Sequence, residues 1–77
     1  MEIDEKIFIT NLGKRLREIR ISKNLSQEIV ANDSNIPINQ IGRIERAEIN
    51  TSIITIYKIA KALDVNVIDF LQFNTKI

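Results

Sequence analysis

The chain of 77 residues has no cysteine and no histidine. The first absence excludes a disulfide framework, a thiolate zinc site and a cysteine nucleophile. The second removes the commonest general base and metal ligand. Glycine occurs twice and proline once, and no glycine-rich phosphate loop is present. No apolar run approaches the ~20 residues needed to span a bilayer, and the start M-E-I-D-E-K has no signal-peptide character, so a cytoplasmic location is expected. The few aromatics (Phe8, Tyr57, Phe70, Phe73) are not interleaved with bases, as a stacking platform for single strands requires. Glu45 and Glu48 form an i,i+3 carboxylate pair with no neighbouring nucleophile or metal ligand. An enzyme, a cofactor and a metal site are therefore not expected.

What is present is isoleucine, 17 residues of it, in a mostly helical rhythm. Phe8, Leu12, Leu16 and Ile19 recur at spacings of four, four and three, the inner face of a first helix capped by Asp4 and ending near Asn24. Ser26 caps a second helix with Glu28 in its first turn, and Asn35 suits a left-handed stop. Pro37 suits the first position of a third helix running to about Arg46. Thr51 or Ser52 caps a fourth, with Ile53, Ile56, Ile59, Ala60 and Leu63 inward. Asn66 caps a short fifth, with Val67, Phe70 and Leu71 inward. The period overrides the β propensity of isoleucine. One all-α five-helix domain over residues 1–77 is expected, with its core in 12–71 and a helix-turn-helix at about 26–46. So small a domain buries only about 60% of its unfolded surface, which favours pairing with another chain.

The net charge of +1 hides an uneven distribution. Residues 12–24 carry Lys14, Arg15, Arg17, Arg20 and Lys23 against Glu18 alone, a candidate phosphate-facing surface. In the third helix Ile41 and Ile44 face one way. Ile38, Asn39, Gly42, Arg43 and Arg46 lie toward the other. A short helix held by its back, with amides and arginines in front, fits the major groove of duplex DNA.

Five segments in order, L-G-K-R-L-R-E-I-R, L-S-Q-E, I-x-R-I-E-R, T-S-I-I-T-I-Y-K-I-A-K-A-L and V-N-V-I-D-F-L, resemble the Cro/CI-type (xenobiotic-response-element-type) helix-turn-helix regulators. That family includes phage repressors, restriction–modification controllers and antitoxins. The resemblance implies a lambda-repressor-like DNA-binding domain. Asn35 and Ala47 stand where the family often has glycine, and Pro37 where it often has serine or threonine.

In that frame Asn39 suits adenine, and Arg43 suits guanine or a phosphate. Gln40 suits adenine or the backbone, and Ile38 a thymine methyl. Gly42, about 1 kcal/mol less favourable than alanine inside a helix, would permit close approach to DNA. The resemblance places Gln27 on a phosphate at the start of helix 2, as the free amides of a helix N-terminus also favour. The same logic covers Asn50, Thr51 and Ser52. Arg46, Lys14 and Arg15 are further phosphate candidates. The resemblance also pairs Arg20 with Glu45 as a structural ion pair.

The expected function is a sequence-specific, double-stranded-DNA-binding transcriptional regulator acting as a homodimer on a pseudo-palindromic operator, with no small-molecule ligand. A restriction–modification controller or a Cro-like regulator fits the size. The competing function is an antitoxin or adaptor binding mainly protein. Tyr57, Ile68, Phe73 and Ile77 are the candidate dimer surface, with Ile3, Ile7 and Ile9 as an alternative patch.

Overall fold

A computed structural model describes residues 2–73, and Ile77 of the expected dimer surface lies outside them. Five helices follow in order: α1 Ile3–Ser22, α2 Gln27–Ser34, α3 Ile38–Glu45, α4 Ile53–Ala62 and α5 Val67–Phe70. No strand occurs among the described residues. The expected helix count holds, and the ends differ by a residue or two. At α1 the backbone N–H of Glu2 donates to the Glu5 carboxylate at 3.2 Å, so the cap is Glu2. Asp4 lies inside the first turn, where its carboxylate accepts from Glu5 N–H at 2.9 Å. Ser26, Ser52 and Asn66 cap α2, α4 and α5 through side-chain oxygens. Pro37 is the cap residue of α3 rather than its first helical residue, because its extended ψ of 141° lies outside the helix.

Four helices stop by the same device. Asn24, Asn35, Ala47 and Asp64 all have φ between 57° and 60°. After each, the next N–H folds back onto the helix: Leu25 to Arg20 O, Ile36 to Ala31 O, Glu48 to Arg43 O and Val65 to Ala60 O, at 2.9–3.1 Å. This is the Schellman closure, usually built on glycine. Leu25, Ile36 and Val65, the residues that follow, pack on the core. Glu48, which follows Ala47 at the third stop, is exposed.

The core is contributed by every helix: Leu12, Leu16 and Ile19 from α1, Val30 and Ala31 from α2, Ile41 and Ile44 from α3, Ile56, Ile59 and Ala60 from α4, and Phe70 from α5. Three expectations need correction. Ile9, not Phe8, continues the inner face of α1. Phe8 turns aside and packs its ring on Phe73 at 5.4 Å. Ile53 does not join the core. It lies at the rim of a cleft with Phe8, Leu12 and Leu71. The burial of Ile9 also splits the alternative N-terminal patch, leaving Ile3 exposed.

The α1–α3 crossing needs Gly13. A Cβ there would stand 2.7 Å from Glu45 O and closer still to Ile44 O. Both are backbone atoms at the end of α3 and cannot swing away. Glycine is unfavourable inside a helix by about 1 kcal/mol, so alanine should ordinarily stabilise. Here overpacking, about 1–3 kcal/mol, opposes that gain. Gly13→Ala is expected to lower the free energy of unfolding in urea, and an increase would show that the crossing tolerates a methyl group.

Candidate nucleic-acid interface

The third helix is held from behind by Ile41 and Ile44, which are fully or almost fully buried. Its C-terminal end is held by charge. Arg20 donates to Glu45 twice, Nε to Oε2 at 2.6 Å and Nη2 to Oε1 at 3.0 Å. The remaining Arg20 nitrogen, Nη1, donates to Leu25 O at 3.0 Å. Gln27 Nε2 adds a bond to Glu45 Oε1 at 3.1 Å. The Glu45 side chain is only 4% exposed, so the pair sits largely out of water. The hydrogen bond to Glu45 holds the Arg20 pKa above its ordinary value. One network thus joins the end of α1, the start of α2 and the end of α3.

The outer face of α3 carries Ile38, Asn39 and Arg43, all exposed, with Gln40 half-buried beside them. Asn39 and Arg43, four residues apart, share one side of the helix. Ile38 borders an open groove against Glu28, Asn32 and Asn35 of the α2 side. Gly42 is buried, contrary to its expected exposure to DNA. The space where its Cβ would stand is bounded by Arg46 Nη1 at 2.9 Å and Gln27 Oε1 at 3.5 Å. Its missing side chain admits neighbours from the same chain.

Glu48 is the residue that sequence reasoning missed here. Its Oε2 accepts from Arg46 Nε at 2.9 Å, and its Oε1 lies 3.4 Å from Arg46 Nη2 and 3.8 Å from Arg43 Nε. The hydrogen bond from Arg46, and then the charges of Arg46, Arg43 and Lys6, hold the Glu48 carboxyl below the usual range. The signal was Ala47: a left-handed residue there reverses the chain and lays residue 48 against the last turn of α3.

The phosphate candidates divide. Gln27 stands at the first turn of α2, where backbone N–H groups lack partners within their own helix, although its side-chain NH₂ already bonds Glu45. Asn50 is exposed before α4. The Ser52 hydroxyl accepts from Thr55 N–H at 3.1 Å as a cap. The Thr51 hydroxyl is buried without a partner and faces inward, so it does not meet the outer surface. Arg15 is also redirected. Its Nη2 donates to Asp69 O at 2.9 Å and ties α1 to α5, because its helix position points away from α3. Lys14 is exposed on α1 beside Arg17 and Glu18. No group of three or more acidic metal-ligand residues converges among the described residues.

Breaking a buried ion pair by removing one partner costs about 3–5 kcal/mol, whereas replacing both by apolar groups often costs far less. Arg20→Met is expected to destabilise by about that amount, and Arg20→Met with Glu45→Leu by clearly less than the sum of the single changes. Urea denaturation of the four proteins checks this; additive losses would mean that the two side chains act independently.

Known proteins share this fold. Residues 16–70 match the helix-turn-helix family model. Over 64 residues the chain is 44% identical to control protein C.BamHI of Bacillus amyloliquefaciens, covering 82% of this chain and 79% of the relative. Among solved structures it is similar to the restriction–modification controller protein C.AhdI from Aeromonas hydrophila, with a TM-score of 0.79 and 39% identity over 80% of this chain and 94% of that one. It is also similar to the controller C.Esp1396I, solved as a tetramer in complex with its natural 35 base-pair operator, with a TM-score of 0.79 and 30% identity over 82% of this chain and 83% of that one. A pinned third helix, an exposed amide–arginine face and these likenesses lead to one conclusion: the chain belongs to the helix-turn-helix family, alongside the controller proteins of restriction–modification systems.

Proposed function

We propose that this protein is a transcriptional regulator, not an enzyme, that binds operator DNA as a homodimer in the manner of a restriction–modification controller. One observation carries this: α3 is fixed from behind and at its C-terminal end and presents Asn39 and Arg43 together to solvent. In the major groove Asn39 bonds adenine N6 and N7, and Arg43 bonds guanine O6 and N7. Gln40 and Ile38 lie beside them for a second amide contact and a thymine methyl. Gln27 and Arg46 meet beside Gly42 of α3, and they hold the backbone together with Asn50 and Ser52 ahead of α4, the N-termini of α2 and α4 contributing amide N–H groups. Lys14 adds positive charge farther back. No helix among the described residues is long and apolar enough to cross a membrane, and a DNA-binding role supports a cytoplasmic location.

Pairing follows from the small footprint of one helix. Two recognition helices reading adjacent grooves stand about 34–36 Å apart. The domain measures 32 × 22 × 20 Å, so two copies side by side span that distance. Tyr57 and Ile68 are 53% and 75% exposed and line one groove with Val65, Val67 and the polar Lys61, Asp64 and Asn66, which supports this face as the surface where two copies meet. Phe73 is engaged with Phe8 and contributes less to such a patch.

Selection of bound sequences from a random duplex pool tests the whole reading, and a symmetric pair of half-sites is the expected product. Asn39→Ala and Arg43→Ala should each weaken binding to the selected site by about 1–3 kcal/mol and relax the preference at one position per half-site. Binding that is indifferent to salt, or unchanged in the double variant, would favour a protein-binding adaptor instead. Ile68→Glu, on an exposed side chain, should leave the helices intact and yield monomers in sedimentation; a dimer of undiminished strength would place the interface elsewhere.

A further inference from the structure

Glu48 has no place in the contacts just described, yet it is the acid nearest to both arginines of the reading face. Three features define its position. First, it occupies the residue after a left-handed helix stop, where the other three stops place Leu25, Ile36 and Val65 on the core. Second, its backbone N–H is fixed to Arg43 O at 2.9 Å, so the carboxylate has a defined base. Third, it engages the two arginines differently. Arg46 donates to the carboxylate through Nε and Nη2, whereas the nearest approach of Arg43 is its Nε at 3.8 Å, an ionic contact outside hydrogen-bond distance. Arg43 is exposed and this long contact is its one ion pair among the described residues, which leaves its guanidinium to read a base end-on.

From this arrangement we infer that Glu48 is a positioning residue for DNA discrimination: it holds Arg43 from behind, aimed at a base, and offsets part of the positive charge that would otherwise grip any phosphate. The inference rests on the DNA-binding role proposed above. Its two effects act on different complexes. Charge offset weakens binding to every duplex alike, since phosphates carry the non-specific affinity. Positioning helps only where Arg43 meets its base, because a preformed fork loses less freedom on docking. The ion pairs are exposed and therefore weak, so they do not lock the arginines away from DNA. Glu48 therefore raises the ratio of specific to non-specific affinity while lowering the non-specific affinity itself.

The test compares the wild-type chain, Glu48→Gln, Arg43→Ala and the double variant on two duplexes across a salt series. One duplex is the sequence enriched from a random pool by the wild-type chain, and the other is a scrambled duplex of equal length. Asp33→Asn, which removes one charge from an acid without an ion pair among the described residues, controls for net charge. Glu48→Gln should bind the scrambled duplex several-fold more tightly and steepen its salt slope by up to about one unit. Its specific-to-non-specific ratio should fall by about tenfold, within the discrimination of one bidentate base contact. In the Arg43→Ala background the same change should leave the ratio unmoved. An unchanged ratio for Glu48→Gln, an equal fall without Arg43, or an equal fall for Asp33→Asn would overturn the positioning role while leaving DNA binding intact. A wild-type chain that enriches no sequence would overturn both.

Discussion

The buried pair of Arg20 and Glu45 is the constraint on which the reading surface depends. Glu45 ends α3, Arg20 lies near the end of α1, and their 2.6 Å contact is reinforced by Leu25 O on one side and Gln27 on the other. Apolar contacts fix how deeply α3 is buried but are non-directional. A bidentate guanidinium–carboxylate contact fixes direction. With Ile41 and Ile44 below and Glu45 clamped at the end, α3 has little freedom to roll, and the orientation of Asn39 and Arg43 follows. Gly13 completes the constraint by letting α1 approach the last carbonyls of α3.

The chemistry of the interface is thereby separated from its support. Glu45 and Glu48 are three residues apart, and a simple count makes them a matched pair of carboxylates. Their surroundings differ. Glu45 is inside the helix and buried on Arg20, while Glu48 lies beyond the stop at Ala47 and is nearly half exposed between two outward arginines. One carboxylate holds the helix and the other faces the surface that α3 presents.

Much of this was legible in the sequence. Capping residues, the order of the five helices, the inward isoleucines of α3 and the outward Asn39 and Arg43 all follow from period and cap chemistry. The misreadings have a common cause. A period identifies a stripe but not its edge, and Phe8 and Ile53 both lie at the ends of their stripes, where the core runs out. Arg15 and Thr51 were assigned by charge or by proximity to a helix start, whereas their direction is set by neighbours remote in sequence, α5 for Arg15 and the cleft beside α1 for Thr51. Glu48 required knowing that Ala47 turns left-handed; alanine itself gives no such signal, and only its standing where the family often has glycine points to the turn.

That left-handed alanine belongs to a wider allocation of residues. Both glycines lie within helices, Gly13 and Gly42, while the four left-handed stops are two asparagines, an aspartate and an alanine. Glycine at those stops would leave the disordered chain with more conformations to surrender on folding, and a restricted residue there contributes roughly 0.4–1 kcal/mol through the unfolded state where its native geometry is unstrained. Asparagine and aspartate tolerate the geometry; alanine bears a strain of about 1–2 kcal/mol. At each of the four stops, then, the smaller disorder of the unfolded chain is set against the strain of a left-handed side chain, a balance tightest at Ala47.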